Sequence, residues 1–239
     1  MLINLLMGGK ADLTQAIIYI ISALTVIFLT MPVHEFAHAF AAYKLGDRAQ
    51  KYAGRLTLNP FAHIDYIGAL FILVFGFGWA KPVQVNQHVF KRPKLDMAIT
   101  GFAGPLSNLV VAFVATFFYA LFGYLYSSTV TYDFATASFE GNVIFEYLWY
   151  FFSFIAMINI SLAVFNLIPI PPLDGSRVLF AFLPDRIYYN IMRYEQYLYF
   201  GLILLIATNV LDTPLAIAQS AVTGFFESIV SFPLNLIFG

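Results

Sequence analysis

The chain has no cysteine and little charge. Only 10% of its 239 residues are Asp, Glu, Lys or Arg, against roughly a quarter in soluble domains. The lack of cysteine excludes a thiolate metal site. The twelve basic residues form no basic run, so nucleic acid is not expected as a partner. What fills the rest excludes a soluble domain: 61% of residues are hydrophobic and the mean hydropathy is +0.80. The expected class is an integral membrane protein in contact with a lipid bilayer, a single domain over residues 1–239. Met1 to Leu13 carries one lysine and no strongly basic start, so a cleavable signal peptide is not expected.

Histidine is also scarce, with only His34, His38, His63 and His88. Two of the four stand in Val33-His34-Glu35-Phe36-Ala37-His38, at the end of an apolar run. On a helix, residues four apart lie one turn apart on the same face, so both imidazoles reach one zinc ion. Glu35 is placed to take a proton from water at that ion. Ionisable groups inside an apolar span are costly and point to function.

The pattern predicts an all-α polytopic membrane protein. Leu13 to Met31 is long enough to span, and Pro32 predicts a kink rather than an end, with the helix continuing to Leu45 and stopping at Gly46. Met97 to Tyr126, Val143 to Ile168, Tyr194 to Leu211 and Pro214 to Phe238 bring the expected total to about five spans. Tyr66 to Ala80, short and glycine-rich, suits a re-entrant hairpin. Lys51 to Leu58 and Val83 to Asn86 are expected as a small cytoplasmic-side β element. The core is expected over residues 13–177, with accessory C-terminal helices over 190–239.

Eleven of the twelve Lys and Arg fall in Lys44 to Arg55, Lys81 to Lys94 and Arg177 to Arg193. The positive-inside rule places all three in the cytoplasm. The N-terminus and the acidic segment Ser127 to Gly141 are then outside, and the His34 motif lies near the cytoplasmic face of the cell membrane. The hairpin and its flanking polar segments are expected to cover the cleft, with Gly76 and Gly78 as hinges.

A catalytic zinc needs a third protein ligand. Asp174, after the proline-broken run Asn166 to Pro172, lies on the right side at similar depth; a helix cap is its alternative role. His63 and His88 are rivals, read first as surface histidines, and Asp65 and Asp96 are further options.

These motifs together resemble the site-2 protease family of zinc intramembrane metalloproteases, in its compact prokaryotic branch. The resemblance rests on His34-Glu35-x-x-His38, Gly104-Pro105-Leu106-Ser107-Asn108 and the Asn166 to Gly175 segment. Arg55-Leu-Thr-Leu-Asn-Pro60, His63-Ile-Asp65 and Gly78-Trp-Ala-Lys-Pro-Val83 add to it, and it covers about Thr30 to Arg177. The resemblance implies Asp174 as third zinc ligand, Glu35 as the catalytic residue and Asn166 as a residue that orients substrate. It implies one zinc per chain and a transmembrane protein or peptide as substrate, cut within or near its membrane segment. Asn108 is expected to tie helices together. A channel with the histidines in an ion path, or an inactive binding relative, are the competing functions; neither requires Glu35.

Overall fold

The computed structural model describes residues 13–75, 78–133 and 138–238. Its first element is one long apolar rod in three parts: α1 Leu13–Thr25, a π-helical turn Val26–Thr30, and α2 Met31–Leu45. The kink expected at Pro32 takes the form of that π turn just before it. Proline has no N–H to give the preceding turn and its ring crowds the carbonyl four residues back. The turn widens there, and the Met31 N–H bonds to the Val26 carbonyl. Gly46, at φ 121°, ends α2.

Next come α3 Ala49–Tyr52 and α4 Tyr66–Phe75, and then α5 Pro93–Thr129. A strand pair, β1 Thr131–Asp133 with β2 Ser138–Glu140, joins α5 to α6 Val143–Asn166. The Asn142 side chain caps α6 by accepting from the Ile144 and Phe145 amides. Short α7 Asp174–Phe180 and α8 Asp185–Arg193 follow, then α9 Glu195–Ala207 and α10 Asp212–Phe238.

Four stretches are long and apolar enough to cross a membrane: Leu13–Leu45, Pro93–Thr129, Val143–Asn166 and Asp212–Ile237. The segment expected as a further span, Tyr194 to Leu211, holds the 13-residue α9, only about 20 Å long. Contacts of α10 fix its direction. Phe226 packs on Phe113 of α5 at 5.3 Å, and Asn235 meets Tyr124. Helix α10 therefore runs parallel to α5, and the Asp212-Thr213 link lies at the end of the bundle where α5 begins. Two successive spans would have put that link at the opposite end.

The core joins three elements. Tyr19, Ala23, Val26, Ile27 and Met31 pack with Ile72 of α4 and with Phe154, Ile158 and Leu162 of α6. Between α5 and α6, Phe118 and Phe122 stack on Phe152, while Tyr119 and Tyr126 stack on Trp149.

The re-entrant expectation fits the geometry. The Lys81 N–H donates to the His63 carbonyl at 2.8 Å, so the chain leaves residues 64–80 where it entered them. Helix α4 has ten residues, about 15 Å, half a hydrocarbon core. Two glycines close the hairpin: a Cβ on Gly68 would stand 1.9 Å from the Trp79 carbonyl oxygen, and one on Gly78 would stand 2.1 Å from that of Gly68. Gly78 is thus required for close approach, and Gly76, the other expected hinge, lies outside the described residues. Helix α4 itself is tied to α1 by the Tyr19 hydroxyl, which donates to the Ile72 carbonyl at 2.9 Å.

The expected β element at Lys51 to Leu58 and Val83 to Asn86 is not a strand pair. Ala49–Tyr52 is helical. The backbone of 83–86 is extended but bonded to side chains: Val83 N–H to Glu35, the Gln84 carbonyl to Gln50, and Asn86 N–H to Asp47. Groups engaged by side chains are withdrawn from a ladder. Among the described residues the one sheet is β1 with β2, at the other end of α5.

Gly68→Ala should force the hairpin open. Hydrogen exchange over residues 78–83 should speed up severalfold, while Gly201→Ala, whose added Cβ meets open space, should exchange as wild type. Equal protection in both variants would show that hairpin closure does not depend on Gly68.

Candidate active site

His34 and His38 lie on one face of α2, buried at 8% and 4% exposure. Opposite them α5 presents a face that carries Gly101 and Gly104, with Pro105 beside them. A Cβ on Gly104 would lie 2.2 Å from Nε2 of His38 and 2.6 Å from Nε2 of His34. The glycine therefore lets the backbone of α5 touch both imidazoles. Small residues on α5 serve the neighbouring contact as well, since a Cβ on Gly101 would press on Arg177 and the Asp174 carbonyl.

Asp174 opens α7 after the cis Pro171-Pro172 bond. It does not cap the helix: Leu173 holds the cap position, and no side-chain cap bond is present. Its Oδ2 points at the imidazoles instead, 3.1 Å from Nε2 of His38 and 3.5 Å from Nε2 of His34. Gly175 allows that placement, because a Cβ there would lie 2.1 Å from the Leu167 carbonyl oxygen. Burial pushes the Asp174 carboxyl up, but the imidazoles of His38 and His34 outweigh burial and hold it well below the usual carboxylate range.

The two Nε2 atoms are 3.0 Å apart. Edges of 3.0, 3.1 and 3.5 Å approach the ~3.4 Å edge of a tetrahedron with ~2.1 Å metal bonds. Three lone-pair donors, two buried and one partly so, that converge this closely repel one another unless a proton or a cation lies between them. The donor set, two imidazoles and a carboxylate, is that of a catalytic zinc site with one position open. The Nδ1 N–H of His38 bonds to the Thr100 carbonyl at 2.7 Å, which aims Nε2 into the site. Among the described residues, Nδ1 of His34 has no hydrogen-bond partner.

Glu35 is buried beside this triangle, and one ligand atom from each of His34, Glu35 and His38 falls within 4.8 Å of the others. Its Oε2 accepts from the Val83 N–H at 3.2 Å. The segment carrying Val83 is held from below. Asp47, 1% exposed, accepts from the amides of Ala49 and Asn86 and from the Gln50 side chain. Gln50, also buried, donates to the Gln84 carbonyl. This brace was missed in the sequence. Its one visible signal was a polar pair directly after the Gly46 stop, in a stretch that reads as surface.

A cavity of about 580 Å³ opens on the site. Phe71, Trp79 and Val83 border it from the hairpin side, and Tyr199, Ile203 and Ile206 of α9 border it from the other. Asn166 and Asn108 line it too; Asn166 Nδ2 donates to the Leu162 carbonyl at 3.0 Å, within its own helix. The rival ligands are elsewhere. His63, expected at the surface, is fully buried with Nε2 on the Thr57 carbonyl, where it pins the loop under the hairpin. His88 is exposed. Asp65 caps α4, and Asp96 binds the Arg92 amide and guanidinium.

Residues 21–208 match the sequence profile described as Peptidase family M50. A candidate zinc metalloprotease of Bacillus subtilis, YwhC, is 39% identical over 182 residues, which cover 76% of this chain and 78% of that protein. Rip2 of Mycolicibacterium smegmatis, also named as a candidate zinc metalloprotease, is 30% identical over 62% of this chain and 51% of its own length. Rip2 of Mycobacterium tuberculosis is 29% identical over 63% and 53%. The chain thus spans about half the length of the mycobacterial proteins it matches. No solved structure matches it.

Gly104→Ala should displace both imidazoles. Zinc retained after dialysis should fall well below one equivalent, while Gly224→Ala, which meets open space, should keep it. Full retention in Gly104→Ala would separate the site from its contact with α5.

Proposed function

The chain belongs to peptidase family M50, the site-2 protease family of membrane zinc metalloendopeptidases, and we propose that it cuts peptide bonds within or near transmembrane segments of membrane proteins, with His34, His38 and Asp174 as zinc ligands and Glu35 as general base. The observation that carries this is the 3.0–3.5 Å triangle of two imidazoles and a carboxylate beside a buried glutamate. His34, His38 and Asp174 would hold the zinc ion, which would supply Lewis acidity toward the scissile carbonyl and toward water.

The chain's own residues do the rest. The Val83 N–H holds Oε2 of Glu35, which leaves Oε1 to take the water proton and carry it to the leaving amine. Asn166, on the cavity wall, orients the substrate with its carboxamide oxygen and its second Nδ2 hydrogen, the first being engaged with the Leu162 carbonyl. A substrate helix must unwind to reach the site, because its carbonyls are already bonded within the helix. The cavity between α9 and the hairpin has room for such an extended segment. The Val83 and Asn86 amides and the Gln84 carbonyl are already held by side chains, so they are not the groups that pair with a substrate strand. A regulatory membrane protein or a remnant signal peptide fits this reading equally as substrate class.

The proposed orientation puts this end of the bundle in the cytoplasm and the β1–β2 end outside. Supporting it is the charge count: eleven of twelve basic residues lie in the three segments at the metal end.

Glu35→Gln should keep one zinc per chain and slow cleavage of a membrane substrate roughly 10²- to 10⁴-fold, whereas Asp174→Ala should lose both metal and cleavage. Equal zinc loss in the two variants would mean the roles are misassigned; unimpaired turnover in Glu35→Gln would remove it as the base. Single cysteines placed in the cysteine-free chain test the orientation. An impermeant maleimide should label Ser128→Cys in intact cells and Lys91→Cys only after permeabilisation. The reverse pattern would invert the protein.

A further inference from the structure

Beside the catalytic cavity lies a second, of about 360 Å³, between the 85–88 loop, the start of α5, and the turn of chain from Pro171 into α7. Arg177, Lys94 and His88 line it, and among the described residues none of its lining is acidic. Lys94 is fixed: its ammonium donates to the Leu183 carbonyl at 2.6 Å and stands 5.8 Å over the Tyr188 ring. Arg177 is half-buried, and its guanidinium has no hydrogen-bond or ion-pair partner among the described residues. Its nitrogens are not among the buried unpaired atoms, so they face the water-accessible space of the cavity, where an anion can take the place of water. The planar fork of a guanidinium fits a carboxylate in two-point contact.

Pro172 and Arg177 line both cavities, so the two spaces share a wall. Arg177 follows Asp174 by three residues in α7, a separation of about 5–6 Å between Cβ atoms. An extended chain advances about 3.3 Å per residue. A substrate segment lying at Asp174 therefore comes within reach of the Arg177 side chain two to four residues away.

Building on the proteolytic reading above, we propose that this second cavity is a specificity subsite that takes an acidic side chain of the substrate, an Asp or Glu close to the scissile bond, paired with Arg177 in the field of Lys94. A lipid headgroup also carries an anion, but the shared wall sets this cavity in the path of the peptide.

The test uses the full zinc-loaded protein in phosphatidylcholine vesicles with model transmembrane peptides. The bond cut in a neutral parent peptide is mapped by mass spectrometry. Asp, Asn or Lys is then placed singly at each of the positions flanking it. Wild type should prefer Asp over Asn about tenfold in kcat/KM at one or two positions. Arg177→Gln should bring that ratio near one, and Arg177→Glu should shift preference to the Lys peptide. Lys94→Gln should lower the ratio in part, with zinc content checking that each variant is folded. Equal slowing of all three peptides in Arg177→Gln would make the residue structural and overturn the subsite. So would a rate that rises with phosphatidylglycerol for all three peptides alike and loses that rise in Arg177→Gln, which assigns the cavity to lipid. Cleavage of no peptide by zinc-loaded wild type would sink the proteolytic reading and the subsite with it; cleavage without acid preference would sink the subsite alone.

Discussion

The contact between Gly104 and the two imidazoles governs this structure. Lipid tails are as apolar as leucine, so helices in a bilayer associate through close packing and polar bonds rather than through exclusion of water. A helix bearing two histidines and a glutamate needs a neighbour that can come within a Cβ radius of them, and α5 supplies one at Gly104. Several other features serve that approach. Gly101 admits α7 to the same turn, Gly175 admits the Leu167 backbone behind Asp174, and the Thr100 carbonyl orients His38. The site is thus made of backbone proximity as much as of side chains.

Four of the spans and the class of chemistry were legible in the sequence for physical reasons. A run such as Val143 to Ile168 has few readings other than a membrane helix, since its backbone must bond within itself. His34 and His38 at a spacing of four, inside such a run, carry one strong meaning. Asp174 was harder: spacing left it beside other acids and histidines, and the motif resemblance singled it out. The structure now brings its carboxylate to the two imidazoles.

What the sequence hid was the use of polar residues that look like surface. Val83 to Asn86 alternates like a strand, yet its backbone partners are the side chains of Glu35, Gln50 and Asp47. Local alternation reports that a segment is extended and says nothing of what it pairs with. His63 misled in the same way: a lone histidine among polar residues suggests solvent, but the hairpin closes over it. Tyr194 to Leu211 was apolar enough to span and became a 13-residue helix at the cavity wall, because hydropathy measures length along the sequence rather than length of regular helix.

The π turn at Val26–Thr30 acts as a phase correction. It takes up one residue more than an α turn would, so everything after it is rotated by about 100° relative to an uninterrupted helix. Ile17, Ile21 and Leu24 set the outward stripe of α1. Continued without the extra residue, the α-helical angle would carry His34 and His38 roughly sideways from that stripe; with it, they lie roughly opposite. The rod can therefore show hydrocarbon on one side along its first half and keep its ionisable side turned inward along its second. The angular register of the motif is set before the motif begins, in five residues that contain no polar side chain except Thr30.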